Sequence, residues 1–180
     1  MTTYVALLRG INVGGKHSLP MQTLRDILTT LGCDDVKTYI QSGNAVFNFG
    51  KGSRKLAGEI TGAIEKAVGF APSVQILKLE EFQSILDANP FPEAVTEPKS
   101  LHIAFLAEAP TAPDLAAIEK LQAASEESQL LDGALFLHAP DGIGRSKLAV
   151  RIDKCLGVET TGRNWRSAQA IAALAATIIR

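Results

Sequence analysis

The sequence predicts an α+β protein: a tandem duplication of ferredoxin-like βαββαβ units with antiparallel sheets, packed as one compact body. Three observations predict it. Strand-like and helix-like segments follow the order βαββαβ twice over the 180 residues. Strands two and three of each half are joined by glycine turns too short for a parallel crossover. The halves also echo in letters, Val5-Ala6-Leu7-Leu8 answering Ile103-Ala104-Phe105-Leu106, and Ser53-Arg54-Lys55-Leu56 answering Ser146-Lys147-Leu148.

Thr3–Leu8 is the first strand. A helix follows over Met21–Leu31, where Met21, Leu24, Leu28 and Leu31 recur on one face. Val36–Gln41 alternates as a strand, and Ser42-Gly43-Asn44 turns it into a second strand with Ala45, Phe47 and Phe49 on one face. The spacing of Leu56, Ile60, Ala63, Ile64 and Ala67 predicts a helix over Ser53–Val68. Ser73–Leu79 is a strand and Glu80–Ala88 a short helix. The stretch 89–100 contains three prolines, which remove backbone donors and disfavour helix, so it reads as a connector between repeats 1–90 and 99–180.

In the second half Leu101–Leu106 is a strand. Asp114–Ala124 is a helix with Leu115, Ile118 and Leu121 on one side. Gln129–His138 is a hairpin about the Asp132-Gly133 turn. A helix then carries Leu148, Ile152 and Leu156 inward. An extended piece near Val158–Thr161 precedes a last helix, Trp165–Ile179.

Composition sets bounds on function. Hydrophobic residues make up 46% and charged residues 21%, ordinary for a globular protein. A formal charge of −1 gives no broad attraction to nucleic acid or anionic lipid, so any basic site is local. Cys33 and Cys155 lie far apart, as two buried thiols of a reducing compartment. No leader pattern or membrane-length apolar run is present, so the expectation is a cytoplasmic protein with no membrane partner.

From Gly10 the chain reads G-x-x-x-x-G-K-H, one residue from the phosphate-binding loop G-x-x-x-x-G-K-[ST]. The match fails on chemistry. His17 stands where a hydroxyl should hold magnesium, a cation that prefers oxygen. A helix beginning at Gly15 would also enclose Pro20, at a cost of about 3 kcal/mol. Ser18 or Leu19 as cap, with Pro20 in the first turn, avoids that cost. Gly10, Gly14 and Gly15 then read as a turn that needs positive φ. With Asn12, the same loop can also present amides to an anion.

Ala6–Gly15 (ALLRGINVGG), Tyr39–Phe47 (YIQSGNAVF), Leu101–Leu106 (LHIAFL), Gly144–Leu148 (GRSKL) and Thr161–Trp165 (TGRNW) together resemble a bacterial family, domain of unknown function 1697. The resemblance spans nearly the whole chain. It implies an α+β fold with two similar subdomains, and no activity. It marks Arg9, Gly10, Asn12, Gly14, Gly15, Gln41, Ser42, Gly43, Asn44, Ser146, Lys147, Arg163, Asn164 and Trp165. Gly162 departs from the residue often found at its place.

Basic residues gather where predicted helices begin: Arg54 and Lys55, Arg145 and Lys147, Arg163 and Arg166. The partial positive charge of a helix N-terminus makes this mildly unfavourable. An anion would turn amides, dipole and cations into one binding site. The plainer reading extends these side chains into water. The functional expectation is a small anionic, phosphate-bearing ligand at the Gly-rich loop 9–17 with the basic helix starts. The residues involved would be Arg9, Gly10, Asn12, Gly14, Gly15, Lys16, Ser42, Asn44, Ser146, Lys147, Arg163 and Asn164.

Other chemistry finds little support. His17, His102 and His138 lack metal-ligand spacing, and no cofactor motif remains. Ser42 and Ser146 have no nearby His with a helper carboxylate, so no catalytic residue is assigned and enzymatic activity is left open. Trp165 either stacks on a ligand ring or packs in the core. The order βαββαβ is also that of the RNA-recognition module, an alternative reading. Its stacking positions would hold Asn44 and Val46 here, which disfavours nucleic acid. A protein-interaction or oligomerisation module pairing through an open sheet edge is a third reading, and the oligomeric state is not encoded in any feature above.

Overall fold

The computed structural model describes residues 1–179. The elements run β1 (Thr2–Leu8), α1 (Met21–Thr30), β2 (Asp34–Tyr39), β3 (Asn44–Phe49), α2 (Leu56–Val68), β4 (Val74–Lys78), α3 (Leu79–Asp87), β5 (Leu101–Leu106), α4 (Leu115–Leu121), β6 (Glu127–Leu131), β7 (Ala134–His138), α5 (Lys147–Leu156), β8 (Thr160–Asn164) and α6 (Trp165–Ala176). Short 3₁₀ turns at Ser53–Lys55, Pro92–Thr96 and Ile143–Arg145 lie between them.

The strands form two four-stranded antiparallel sheets, β2-β3-β1-β4 and β6-β7-β5-β8. Each places its first and third strands at the centre, the ferredoxin-like order. The repeat extends to single bonds. Leu8 N donates to Gly43 O at 2.8 Å, and Leu106 N donates to Gly133 O at 2.9 Å. Arg9 N donates to Ser73 O, as Ala107 N does to Glu159 O. α2 and α5 both end on a left-handed glycine, Gly69 and Gly157, which accommodates the positive φ of a helix C-terminus at no steric cost.

Grouped by contacts, the first unit comprises Met1–Gln83 together with the segment from Ala170, and the second comprises Ser84–Gln169. In the first unit α1 and α2 cover one sheet face. Tyr4, Ala6, Leu8, Phe47, Leu24, Leu28, Ile60 and Ile64 meet there, with the Tyr4 and Phe47 rings 6.0 Å apart. In the second unit α4 and α5 do the same over Ala104, Leu106, Leu135 and Leu137.

The opposite sheet faces are buried too. Val5, Leu7, Asn44, Val46 and Asn48 are at most 1% exposed. Part of that face in the first unit is held by the last segment of the chain. Asn48 Nδ2 donates to Ile178 O at 2.7 Å and to Asp35 Oδ2 at 2.9 Å, while Asn48 Oδ1 accepts from Thr3 Oγ1 at 2.7 Å. Every polar atom of this buried amide is paired, as burial requires.

Three expectations are corrected. Leu115 does not share a buried side with Ile118 and Leu121: as the first residue of α4 it is 59% exposed, and Ala117, Ile118 and Leu121 make the helix's contacts with the core. The strand expected near Val158–Thr161 runs on to Asn164, paired residue for residue with β5. The last helix stops at Ala176 rather than Ile179.

Candidate functional site

The glycine loop follows β1 at one end of the first sheet. Gly10 takes φ +70°, and Asn12 takes +53°, a conformation its short polar side chain tolerates. Asn12 Oδ1 accepts from Leu19 N at 2.8 Å, and its Nδ2 donates to Leu19 O at 2.9 Å and Gln41 O at 2.7 Å. One side chain thus closes the loop and ties it to the β2–β3 hairpin. The tip is a two-residue turn: Gly14 and Gly15 both have positive φ, with Lys16 N donating to Val13 O and Asn12 N to His17 O. His17 lies 3.1 Å from Gly10 O through Nδ1 and stacks on Phe70 at 4.8 Å. Nothing lies within 4 Å of a Cβ built on Gly14 or Gly15, so these glycines answer the turn conformation and not crowding. Gly43 differs. A Cβ there would meet Leu8 Cβ at 2.6 Å and Ile11 Cδ1 at 2.8 Å.

Asn44 sits beside this loop, buried, donating to Tyr39 O and to Ser42 Oγ. Arg9, Gly10, Asn12, Ser42 and Asn44 are therefore brought to one end of the first sheet, while Gly14, Gly15 and Lys16 project on the exposed turn. No helix starts inside the motif. Pro20 itself precedes the first turn of α1, one position earlier than expected, and it caps without a side-chain bond.

Ser146, Lys147, Arg163 and Asn164 belong to the second unit. Ser146 Oγ accepts from Ala149 N and caps α5, and Lys147 is the first, exposed helical residue. Asn164 Oδ1 accepts from Ser167 N at 2.8 Å and caps α6. Arg163 pairs with Ile103 in β8 and so is a strand residue, standing directly before the Asn164 cap of α6. Because side chains alternate along a strand, Arg163 and Asn164 leave β8 on opposite faces. Burial pulls the Arg163 guanidinium down to about 10, still charged at neutral pH, and its Nη1 donates to Gly162 O.

A cleft of about 540 Å³ opens at this end of the second sheet, where β5 starts and β7 and β8 finish. Glu97, Pro98, Lys99 and Ser100 line one side, Ala139, Pro140 and Gly142 another, and Arg166 of α6 a third. Its frame is bonded through the backbone. Ala139 N donates to Ser100 O, Ser100 N to Glu97 O and Gly142 N to Ala139 O, at 2.8 to 2.9 Å. Arg166 N reaches Pro98 O at 3.4 Å. Trp165, the single tryptophan, is buried next to Arg166. His102, two residues beyond the cleft wall, is pushed below 6.5 by burial, opposed by a hydrogen bond with the Lys99 backbone.

Lys99 and Ser100 carry no motif, because they lie in the Pro-rich stretch that reads as a connector, and Pro140 belongs to none either. Arg166 carried the one available signal, a cation in the first turn of a helix. Cys33 and Cys155 are free and buried, and burial with the charge of Asp34 pushes the Cys33 thiol up to about 11. Among the described residues no group of three or more His, Cys, Asp and Glu could hold a metal ion. Among them, too, no helix is long and apolar enough to cross a membrane.

The chain is similar to a solved structure, that of conserved bacterial protein SP0830 from Streptococcus pneumoniae. Identity is 25%, the TM-score is 0.77, and the match covers 97% of this chain and 98% of that one. Among curated proteins none matches. The family model described as "Protein of unknown function (DUF1697)" matches residues 1–136, from β1 into β7. The match takes in the whole glycine loop and most of both sheets, and the chain belongs to the DUF1697 family.

Proposed function

We propose that this protein binds a small phosphate-bearing anion, and that the second unit's cleft is where it binds. The observation that carries the reading is the pair of exposed cations, Lys99 and Arg166, on a preformed cleft of about 540 Å³. That volume lies within the range of about 300–1,000 Å³ usual for small-ligand sites. Arg166 stands in the first turn of α6, where a bound anion would meet both the guanidinium and the helix dipole. Asn164 and Ser146 serve by fixing the two helix starts at this end of the sheet. The glycine loop 9–17, with Arg9 and Lys16, stands as a second basic loop for the same ligand class.

The test is a thermal-shift series with inorganic phosphate, sugar phosphates and nucleotides on the wild type and Arg166→Gln. A rise in Tm that Arg166→Gln abolishes supports the cleft. A rise lost only in Arg9→Ala or Lys16→Ala moves the site to the loop, and no rise with any anion ends the proposal.

One observation favours a second reading, a protein-interaction surface. Val13 is 67% and Ile40 51% exposed, on loops joined by the Asn12–Gln41 bond. Ile40 also holds φ +46°, which is strained for a β-branched residue. Concentration-dependent light scattering that Val13→Asp and Ile40→Asp abolish would support it, and a monomer at every concentration would count against self-association.

A further inference from the structure

We infer that the ligand of the second unit's cleft is not a bare oxyanion but a monophosphate joined to a flat ring, of which a nucleoside monophosphate is the simplest case. The inference rests on the anion reading above and adds the ligand's chemical class.

The cleft is far larger than one phosphate group. The cations stand on only part of its lining. Pro98, Ala139 and Pro140 supply walls without charge or side-chain donors. Pro98 and Pro140 are also fixed in φ and lack an N–H, so they add apolar surface and no backbone donor. The backbone bonds from Ala139 N to Ser100 O, from Ser100 N to Glu97 O and from Gly142 N to Ala139 O hold these walls in place before any ligand arrives. Apolar walls held by backbone bonds beside two cations suit a flat ring with a charged tail.

The charge balance narrows the tail. Lys99 and Arg166 contribute two positive charges and Glu97 one negative charge, leaving a single net positive charge. That complements one phosphate better than three. The Glu97 carboxylate repels further phosphates and accepts hydrogen bonds from ring N–H or sugar hydroxyl groups.

Titrations of the full chain, read by calorimetry and by Trp165 fluorescence, test this with ribose 5-phosphate, adenosine, AMP and ATP. AMP is expected to bind at least about tenfold more tightly than ribose 5-phosphate, adenosine or ATP. Pro140→Gly, at an exposed position, should weaken AMP and leave ribose 5-phosphate unchanged, whereas Arg166→Gln should weaken both. Ribose 5-phosphate binding as tightly as AMP would overturn the ring and leave the anion reading standing. ATP binding more tightly than AMP would overturn the monophosphate assignment. Adenosine binding as tightly as AMP, with Arg166→Gln indifferent, would overturn the anion reading and this inference together.

Discussion

Glycines that look alike in the letters differ in what holds them. Gly14 needs only its positive φ, so Gly14→Ala should cost about 1 kcal/mol. Gly43 needs positive φ and also has no room, with Leu8 Cβ 2.6 Å from a built Cβ on the backbone-proximal, inflexible part of that side chain. Gly43→Ala should therefore cost about 2–4 kcal/mol. Urea unfolding of the two variants checks the ranking, and equal losses would contradict it. His102 gives a pH signature at the same scale. Burial holds its folded pKa below 6.5, so the unfolded chain takes up the proton first as pH falls. The neutral imidazole's contribution to stability is present above about pH 6.5 and is lost as pH falls through the folded pKa. Urea midpoints at pH 7.5 and 5.5 should differ more for the wild type than for His102→Gln.

Loops and helix starts are set by a few side chains acting on whole elements. Asn12 makes three bonds that fix the glycine loop and couple it to the β2–β3 turn. At about 1 kcal/mol each, Asn12→Ala should lose about 2–3 kcal/mol. Hydrogen exchange should show the loss of protection confined to loop 9–20 and the hairpin turn at 40–43, while the central strands keep their slow amides. A uniform loss across the first sheet would mean that Asn12 has no such local role. These elements were largely legible in the sequence because each is specified nearby. Alternation points to β2, helical spacing points to α2 and α5, and Asn164 stands where a cap belongs. Arg163 flanks the Asn164 cap as expected, but strand pairing with β5 carries β8 three residues beyond the apparent extended piece, and a partner some sixty positions away leaves no local mark.

Burial of the central strands on both faces weighs against the RNA-recognition alternative. Bases stack on an RNA-recognition sheet only where its aromatic positions are open. Here Asn44 and Val46, at the stacking positions, are 1% exposed, and Phe47 lies in the core beneath α1 and α2. Single-stranded oligonucleotides should show no retention in a gel shift at low salt. Retention weakened by Phe47-independent mutations on Val46 would reopen that reading. At this scale the sequence was least informative. The duplicated order and the hairpins follow from local patterns. The bond from Asn48 to Ile178 and the meeting of 97–100, 139–142 and Arg166 depend on residues far apart in the chain, none of which forms a motif alone. Part of the cleft's lining comes from 97–100, inside the Pro-rich stretch that reads as a connector, whereas the glycine loop carries the more conspicuous letters.

The proposed binding of a phosphate-bearing anion in the cleft depends on Arg166 and Lys99. A calorimetric titration of AMP into the wild type and into Arg166→Gln at constant ionic strength tests it most directly. Saturable one-to-one binding that weakens about tenfold or more in the variant is expected, consistent with the loss of a charge-assisted bond. Identical isotherms for the two proteins, or no heat in either, would contradict it.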